Sequence, residues 1–392
     1  MRCFPGLLLI SATLLSLLLA NSPLGNFYHH LLSDVDIFGN FNLHMIVNDF
    51  LMAIFFLAVG LEIKHEVLHG HLCSFKKASF PIIAALGGVI VPAIIFTLFN
   101  LGTPFVRGIG VPISTDIAFA VGIFMLLKNK FDPSLKIFLL SLAVVDDLIS
   151  ILVIGVLYSS DINFTYLMIA FILVGLLALM NKRYKVNHIA PYLAVGLVMW
   201  LFIYFSGVHA TISGVLLALT IPSEAIQGQR ESTADRLEHV LSPICNLFIL
   251  PLFALVNTAI VLSGAMDFKS TSTLVLGTVV GLAVGKPLGI MLFTTVATKL
   301  GLTEKPEGAT WGSIFSVSLL AGIGFTMSIF VSEIAFSSTP TVINVAKISI
   351  LAASLISVSV TYMYATVANK FNLSAAYKHK AYTKPTYKNL HL

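Results

Sequence analysis

Two adjacent aspartates, Asp146 and Asp147, lie near the middle of an otherwise apolar run from Ile137 to Tyr158. At about 1.5 Å per residue, a helix over this run is roughly 33 Å long, which is enough to cross a bilayer core of about 30 Å. The two carboxyl groups are therefore expected at mid-membrane depth. Ionisable side chains are costly there and usually line a path for ions or protons. A structural role gains nothing from doubling such a charge, so the pair predicts ion or proton handling.

Two further charged residues, Asp116 and Lys286, are also predicted well inside apolar spans. Lys286 lies too far from either end of its apolar run, 277–297, to reach water by extending its side chain. We expect Lys286 to pair with Asp146 when no cation is bound. The alternative for Lys286 and Asp116 is structural: a static buried pair, or a charge that neutralises a helix dipole.

Three acids and one base give this predicted site a net negative charge if all of them ionise. Desolvation and repulsion between like charges oppose that state, so at least one carboxyl group is expected to hold an exchangeable proton. Oxygens from Asp147, Asp146 and Thr115, together with backbone carbonyls freed by a helix break, are ligands that a small cation such as Na⁺ prefers. Competition between Na⁺ and H⁺ for these carboxylates yields exchange if the site opens to one face at a time.

The overall composition indicates a polytopic helical membrane protein. The 392 residues are 57% hydrophobic and 10% charged, with a mean hydropathy of +0.95, which leaves too little polar surface for a soluble globule. Continuous apolar runs of about 20 residues argue against an outer-membrane barrel, whose strands alternate over short segments. The three cysteines are scattered and predict neither a disulfide framework nor a metal site. We expect no cofactor and no enzymatic activity.

Apolar runs between polar breaks predict an all-α fold with twelve spans. They cover about 4–20, 44–65, 79–100, 107–127, 135–158, 164–181, 188–206, 208–222, 238–263, 272–297, 311–334 and 342–368. We interpret 4–20 as a first span and not as a cleaved signal peptide, because the rest of the chain is equally apolar. The chain is thus expected to form a single transporter domain in the bacterial inner membrane.

The distribution of basic residues predicts the orientation in the membrane. Of the 23 Lys and Arg residues, only Arg107, Lys269 and Lys347 fall on the face opposite the termini, and Lys286 is inside a span. The positive-inside rule then places both termini, with a tail at 370–392, in the cytoplasm. This topology accounts for the excess of positive charge, so we expect no nucleic-acid partner. Attraction of the basic tail to anionic lipid is an alternative to a simply solvated tail.

Two spans are predicted to be interrupted by residues that weaken helical hydrogen bonding. These residues are Gly108, Gly110 and Pro112 in the fourth span, and Gly322 and Gly324 in the eleventh. Broken helices in corresponding positions of two halves are typical of transporters with inverted repeats, which would lie at about 79–158 and 272–368. The alternative for the eleventh span is that its glycines only allow close helix packing.

Five motifs, in order along nearly the whole chain, resemble the bacterial NhaA-type sodium/proton antiporters. The motifs are Gly60-Leu-Glu62-Ile-Lys64, Pro112-Ile-Ser-Thr115-Asp116-Ile-Ala-Phe119, Leu142-Ala-Val-Val-Asp146-Asp147, Gly285-Lys286-Pro287 and Gly322-Ile-Gly324-Phe-Thr-Met-Ser328. The resemblance implies twelve helices with two crossed discontinuous ones, and pH-regulated, electrogenic exchange of cytoplasmic Na⁺ or Li⁺ for periplasmic H⁺. This family is itself a known example of inverted repeats, so the repeat prediction is not independent of the resemblance.

The resemblance also implies roles for individual residues. Asp147 is the principal cation ligand, Asp146 is its partner, Lys286 pairs with Asp146, and Thr115 and Asp116 lie where the helices cross. The residues assigned to the cytoplasmic funnel and pH sensing are Glu62, Glu66, Glu238 and His239, with His209 near the outer end of the eighth span. A lone histidine such as His209 is more often a satisfied helix-end residue, which is the alternative.

Three departures from the family pattern limit what the resemblance predicts. His65 stands where arginine is common, and Ser242 stands where a second histidine is often found, so the activation pH is not predicted. The periplasmic segment at 26–43 is shorter than the hairpin through which the family dimerises. A homodimer is still expected.

Two other function classes fit the residues less well. A symporter of organic anions on the same fold would need arginines at mid-membrane, and the sequence has none there. An intramembrane aspartyl protease would need two aspartates from separate helices, for which Asp146 and Asp116 qualify by count, but its glycine-flanked aspartate motif is absent. Another carboxylate-coupled cation carrier on the same fold remains the main alternative.

Overall fold

The computed structural model describes residues 4–382 apart from 34, 39–40, 71, 74, 128–133, 160–161, 185, 225–230, 262–268 and 307. The described chain is helical except for one short antiparallel pair, β1 (Asp36–Phe38) with β2 (Phe41–Asn42). Its α-helices are α1 (Phe4–Ala20), α2 (Gly25–Ser33), α3 (Leu43–Met45), α4 (Met52–Leu68), α5 (Phe75–Asn100), α6 (Ile117–Leu126), α7 (Ser134–Leu157), α8 (Phe164–Lys182), α9 (Ile189–Phe205), α10 (Ile212–Thr220), α11 (Thr233–Ile244), α12 (Leu250–Asn257), α13 (Ser272–Val280), α14 (Lys286–Lys299), α15 (Trp311–Ala321), α16 (Phe325–Ala335) and α17 (Pro340–Tyr382).

Seven of the described helical stretches are long and apolar enough to cross a membrane, or up to nine if each of two bent pairs forms one span. The seven are Leu43–Leu68, Ala78–Asn100, Leu135–Leu157, Phe164–Lys182, Thr233–Asn257, Ser272–Lys299 and Pro340–Val367. The bent pairs are Pro5–Ala20 with Gly25–Leu32, at 116°, and Trp311–Ala321 with Phe325–Ala335, at 44°. The prediction of a polytopic helical membrane protein is therefore confirmed.

Three of these stretches contain a π-helical segment, in which the backbone makes an inserted, wider turn. Ile46–Leu51 joins α3 to α4, Cys245–Ile249 joins α11 to α12, and Gly281–Gly285 joins α13 to α14. Such insertions occur often at functional sites because they change the direction of the side chains that follow. The third segment ends directly before Lys286.

Several helix boundaries differ from the predicted spans. The helix predicted from 238 begins at Thr233, because Ser232 and Asp235 form a capping box around its first turn. The predicted span 208–222 contains the nine-residue helix α10, which is shorter than expected. The last helix runs past the predicted end at 368 to Tyr382, so part of the predicted tail is helical, and 383–392 lie outside the described residues.

The helical structure is interrupted at both of the expected places, and the two breaks touch each other. The first separates a 3₁₀ helix, Pro104–Gly110, from α6 by an irregular stretch that ends at Asp116. The second lies between α15 and α16. The backbone N–H of Asp116 donates a hydrogen bond of 2.8 Å to the carbonyl of Ile323. Backbone groups released by one break are thus satisfied by the other, as a low-dielectric interior requires.

Glycines allow the second break to lie close to the π-helical segment before Lys286. A Cβ atom added to Gly322 would stand 2.7 Å from the carbonyl oxygen of Leu282, which belongs to that segment. A Cβ atom on Gly281 would stand 2.8 Å from the Pro112 side chain at the first break. Both breaks and the π-helical segment that precedes Lys286 therefore meet in the buried centre of the molecule.

Candidate functional site

The Asp146 carboxylate is held by side chains from two other elements. Thr115 Oγ1 and Lys286 Nζ each donate to Asp146 Oδ2, both at 2.6 Å. Lys286 also donates to the carbonyl of Ile113, and all three polar side chains are at most 1% exposed. The structure thus brings Lys286 and Asp146 together as a buried ion pair. Asp146 Oδ1 has no hydrogen-bond partner among the described residues.

Asp147 has the opposite surroundings. Its side chain is fully buried, and neither carboxylate oxygen has a hydrogen-bond partner in the described part of the chain. It lines a cavity of about 250 Å³, here called the inner cavity, whose polar lining residues are Glu62, Asp116, Asp147, Ser242, Asn246 and Thr326. Buried polar atoms are almost always satisfied by protein groups, water or an ion. This carboxylate is therefore suited to hold a proton or a cation supplied through the cavity.

Asp116 connects the two helix breaks. Its Oδ1 accepts a bond of 2.8 Å from the N–H of Phe119, in the first turn of α6. Its Oδ2 accepts from the N–H of Thr326 at 3.0 Å and from Thr326 Oγ1 at 2.5 Å, in the first turn of α16. One carboxylate thus faces the positive ends of two helices. This geometry fits the structural alternative for Asp116, although the residue also lines the inner cavity.

Titratable side chains gather at the end of α4, where it meets the start of α11. We call Glu62, His65, Glu66, Asp235 and Glu238 the mouth cluster. Glu62 interacts electrostatically with Glu66, His65 and Glu238, and His65 Nδ1 lies 2.9 Å from Asp235 Oδ1. The structure thereby brings together three of the predicted funnel residues. It adds Asp235, which the sequence analysis did not single out.

The other two predicted funnel residues are placed differently. His239 borders the mouth cluster through an electrostatic interaction with Glu238, but it is largely exposed, and its Nδ1 lies 3.9 Å from Glu231 Oε1. His209 lies just before α10, where its Nε2 makes a hydrogen bond of 3.1 Å with the carbonyl of Tyr158. It lines a second cavity and not the mouth cluster.

This second cavity, the outer cavity, has a volume of about 260 Å³, and its titratable lining residues are His44, Asp49, His209 and Glu333. Lys347 forms an ion pair with Glu333, and His44 Nε2 lies 3.7 Å from the same carboxylate. Sequence reasoning missed Asp49, Glu333 and Lys347, because charges within two turns of a span end look like ordinary interfacial residues. The signal that could have found them is that Glu333 and Lys347 are single charges inside otherwise uncharged runs.

Three buried aromatic rings lie between the two cavities. Phe330 on α16 lines the outer cavity, whereas Met327, one turn earlier, lines the inner one. The ring of Phe330 is 5.6 Å from that of Phe56 on α4 and 6.2 Å from that of Phe253 on α12. We call these three rings the aromatic barrier. They are at most 2% exposed, and a packed apolar group of this kind is suited to keep water from passing between the cavities.

Comparison with known proteins gives one consistent result. The family model described as Na⁺/H⁺ antiporter 1 matches residues 2–365. The chain is 48% identical to the Na⁺/H⁺ antiporter NhaA of Flavobacterium psychrophilum, with 91% of each chain covered. It is 45% identical to the Na⁺/H⁺ antiporter NhaA 2 of Aliarcobacter butzleri, covering 90% of this chain and 91% of that protein. For the Na⁺/H⁺ antiporter NhaA of Shigella dysenteriae, the identity is 43%, and the coverage is 92% of this chain and 95% of the relative.

Proposed function

The chain belongs to the Na⁺/H⁺ antiporter 1 family, and on this premise we propose that it exchanges Na⁺ for H⁺ through the carboxylates of Asp147 and Asp146. One observation carries the assignment of the site: Asp147 is fully buried, has no hydrogen-bond partner among the described residues, and borders a cavity. A carboxylate in that position is costly as a bare charge, so it holds either a proton or a cation.

Exchange follows from competition between the two ions. In the cation-free state, Asp147 carries a proton and Asp146 is paired with Lys286. A Na⁺ ion that enters through the inner cavity replaces the proton on Asp147 and takes Asp146 as a second ligand. Release on the opposite face, followed by protonation, returns the site to its first state. The two ions need no further coupling, because they occupy the same oxygens.

We propose that this exchange is electrogenic. When Asp146 turns to the cation, Lys286 loses its carboxylate partner while it remains buried. A buried ammonium group without a counter-ion is strongly unfavourable, so Lys286 gives up its proton as well. Two protons are then exchanged for one Na⁺. If the exchange rate in proteoliposomes does not change when a membrane potential is imposed, this stoichiometry is wrong.

The same premise supports an architecture of twelve helices with two crossed discontinuous ones, in inverted repeats at about 79–158 and 272–368. The contact between Asp116 and Ile323 supports the crossing, because it joins the two breaks directly. We propose that both termini face the cytoplasm of the cell in its inner membrane. The inner cavity and the mouth cluster then face the cytoplasm, and the outer cavity faces the periplasm.

Regulation by pH, transport of Li⁺ and formation of a homodimer belong to this proposal as well. The mouth cluster offers the charges through which pH would act, since its carboxylates and His65 interact with Glu62 on the wall of the inner cavity. Li⁺, like Na⁺, is a small cation that prefers oxygen ligands.

Ion-driven dissipation of a pH gradient in everted membrane vesicles tests the proposal. We expect a pH-sensitive dye to report dissipation after Na⁺ or Li⁺ is added, and no dissipation after K⁺. Asp147→Asn is expected to abolish the response, because an amide can neither carry the proton nor neutralise the cation. An organic-anion symporter would leave the gradient unchanged when Na⁺ is added without its co-substrate.

The matched control is Glu304→Gln, the same acid-to-amide change at an exposed loop position, which should keep full activity. Vesicles should contain equal amounts of each variant, and their melting temperatures in detergent should be similar. Full Na⁺-driven dissipation by Asp147→Asn would refute the assignment of the site.

A further inference from the structure

The mouth cluster contains a set of side chains that cation exchange at Asp147 does not use. His65, Asp235 and Glu238 each offer one ligand atom, and these three atoms lie within 4.8 Å of one another. The set combines an imidazole nitrogen with two carboxylate oxygens. We propose that these three residues form a binding site for a divalent transition-metal ion of the Zn²⁺ class, and that its occupation inhibits exchange. The inhibitory part rests on the proposed function, whereas binding does not.

Local structure holds the ligands in place before any metal binds. Asp235 is the third residue of α11, where its Oδ2 accepts bonds from the backbone N–H of Ser232 at 3.1 Å and from Ser232 Oγ at 2.8 Å. This capping box leaves Oδ1 pointing at His65. Glu238 follows three residues later, so it lies on the same face of α11. The two carboxylates are therefore presented together.

His65 is also fixed by its neighbours. Lys64 donates to the carbonyls of Ala218 and Leu219 at the end of α10, at 3.3 and 2.9 Å. These bonds tie the last turn of α4 to another helix and limit its rotation. A ligand on a restrained backbone loses little entropy when it coordinates a metal.

The donor set selects the class of metal. Zn²⁺ binds imidazole nitrogen and carboxylate oxygen at about 2.0–2.2 Å, commonly with three protein ligands and a water molecule. Mg²⁺ prefers oxygen alone and keeps most of its water. The side chain of His65 is 44% exposed and that of Asp235 is 21% exposed, so water can reach the site and fill the remaining coordination position. Small rotations of the three side chains would bring their ligand atoms to coordination distance.

The position of this cluster gives metal binding a consequence for transport. His65 belongs to α4, and Asp235 and Glu238 belong to α11. Both helices contribute to the inner cavity, through Glu62 and Ser242 respectively. A metal that joins the two helices resists their separation and adds positive charge at the entrance for cations. Both effects slow Na⁺ entry toward Asp147.

Direct binding is the first test. The protein, purified without a polyhistidine tag and freed of metal with a chelator, is titrated with Zn²⁺ by calorimetry and by competition with a fluorescent zinc indicator. We expect one site per chain. His65→Gln keeps a group that can hydrogen-bond to Asp235 but lacks the imidazole ligand, so the affinity should fall at least about tenfold. Glu238→Gln should give a similar loss, and Mg²⁺ should not compete.

The matched control for binding is His30→Gln, at an exposed histidine on α2, which should bind Zn²⁺ like the unchanged chain. No binding, or binding that neither His65→Gln nor Glu238→Gln weakens, would overturn the site. Should His65→Gln lower the melting temperature, Glu238→Gln alone decides the outcome.

Inhibition is the second test, with each variant compared with its own zinc-free rate of Na⁺-driven pH dissipation. Zn²⁺ should slow exchange by the unchanged chain and by His30→Gln, and the sensitivity of His65→Gln should fall in parallel with its affinity. Binding without inhibition would overturn the regulatory role and leave the site intact. Absence of Na⁺-driven exchange before zinc is added would count against the proposed function alone, because the binding measurements do not depend on transport.

Discussion

Asp146 and Asp147 are chain neighbours with opposite environments, because successive residues on a helix point about 100° apart. Asp146 points toward Thr115 and Lys286, whose donors satisfy one of its oxygens. Asp147 points into the inner cavity, and neither of its oxygens has a partner in the described chain. A single residue step along the helix therefore separates two tasks: one acid is held in a charge pair, and the other is left to exchange ions.

Lys286→Gln tests whether the charge pair stabilises the fold. Removing one member of a buried ion pair leaves the other charge without compensation, and typical losses are about 3–5 kcal/mol. We expect a clear fall of the melting temperature in detergent and an altered pH profile of exchange. The surface change Lys299→Gln, at an exposed position on the same helix, should alter neither.

Double substitution distinguishes the pair from general packing effects. If Lys286 mainly compensates Asp146, then Lys286→Gln combined with Asp146→Asn should cost less than the sum of the two single changes. Strictly additive losses, or an unaltered melting curve for Lys286→Gln, would show that the lysine does not act through Asp146.

At the scale of the element, the sequence was most informative about helix interruptions, where it contains residues that disfavour a helix. Gly and Pro before Asp116, and the pair Gly322 and Gly324, predicted both interruptions, because these residues weaken the helical hydrogen-bond ladder wherever they occur. It also predicted the Lys286 pair, since a deep lysine needs a counter-ion. The family resemblance implied that Thr115 and Asp116 lie where the broken helices cross. Which backbone groups meet there could not be predicted, because those contacts join residues about 200 positions apart.

Other elements could not be predicted from the sequence for a different reason. The π-helical segments depend on packing and leave no mark in hydropathy. The mouth cluster needed the capping box at Ser232, which moved the start of α11 to Thr233 and so brought Asp235 beside His65. Asp49 and Glu333 were missed because both lie near the end of a predicted span, where a charge is ordinary. The structure places both on the wall of the outer cavity, and it pairs Glu333 with Lys347.

Gly322→Ala tests the role of close approach at the second break. The added methyl group would lie 2.7 Å from the carbonyl oxygen of Leu282, so the break and the π-helical segment before Lys286 must move apart. Overpacking of this kind costs about 1–3 kcal/mol. We expect a lower melting temperature and weakened exchange, because Lys286 is displaced from Asp146.

Gly175→Ala on α8 is the matched control for this change. Beyond its own helix backbone and chain neighbours, no atom of the described residues lies within 4 Å of its added Cβ, and alanine favours a helix interior by about 0.5–1 kcal/mol. Its melting temperature should be equal or higher, and its exchange should be unchanged. Equal behaviour of the two alanine variants would mean that the contact at Gly322 is not required.

At the scale of the whole molecule, the two cavities lie on successive parts of one helical stretch. Asn48 and Asp49 border the outer cavity, and Phe55, Val59 and Glu62 border the inner one. The charges of the two cavities are thus separated by apolar side chains. Such an arrangement gives access from one side at a time, provided that the aromatic barrier stays closed while Asp147 is open to the inner cavity.

Phe330→Ala tests this barrier. Phe330 contacts both Phe56 and Phe253, so its truncation leaves a gap that water can enter from either cavity. We expect proteoliposomes containing this variant to lose an imposed pH gradient in the absence of Na⁺, whereas the unchanged chain keeps it.

Truncating a buried phenylalanine also costs about 3–5 kcal/mol, so the milder Phe330→Leu is measured beside it and should leak less. Phe171→Ala, on the exposed face of α8, should remain tight. If folded Phe330→Ala protein holds the pH gradient as well as the Phe171→Ala control does, the barrier lies elsewhere. In the described chain, Phe330 makes the only aromatic contact between α16 and both α4 and α12, and that contact would then be dispensable.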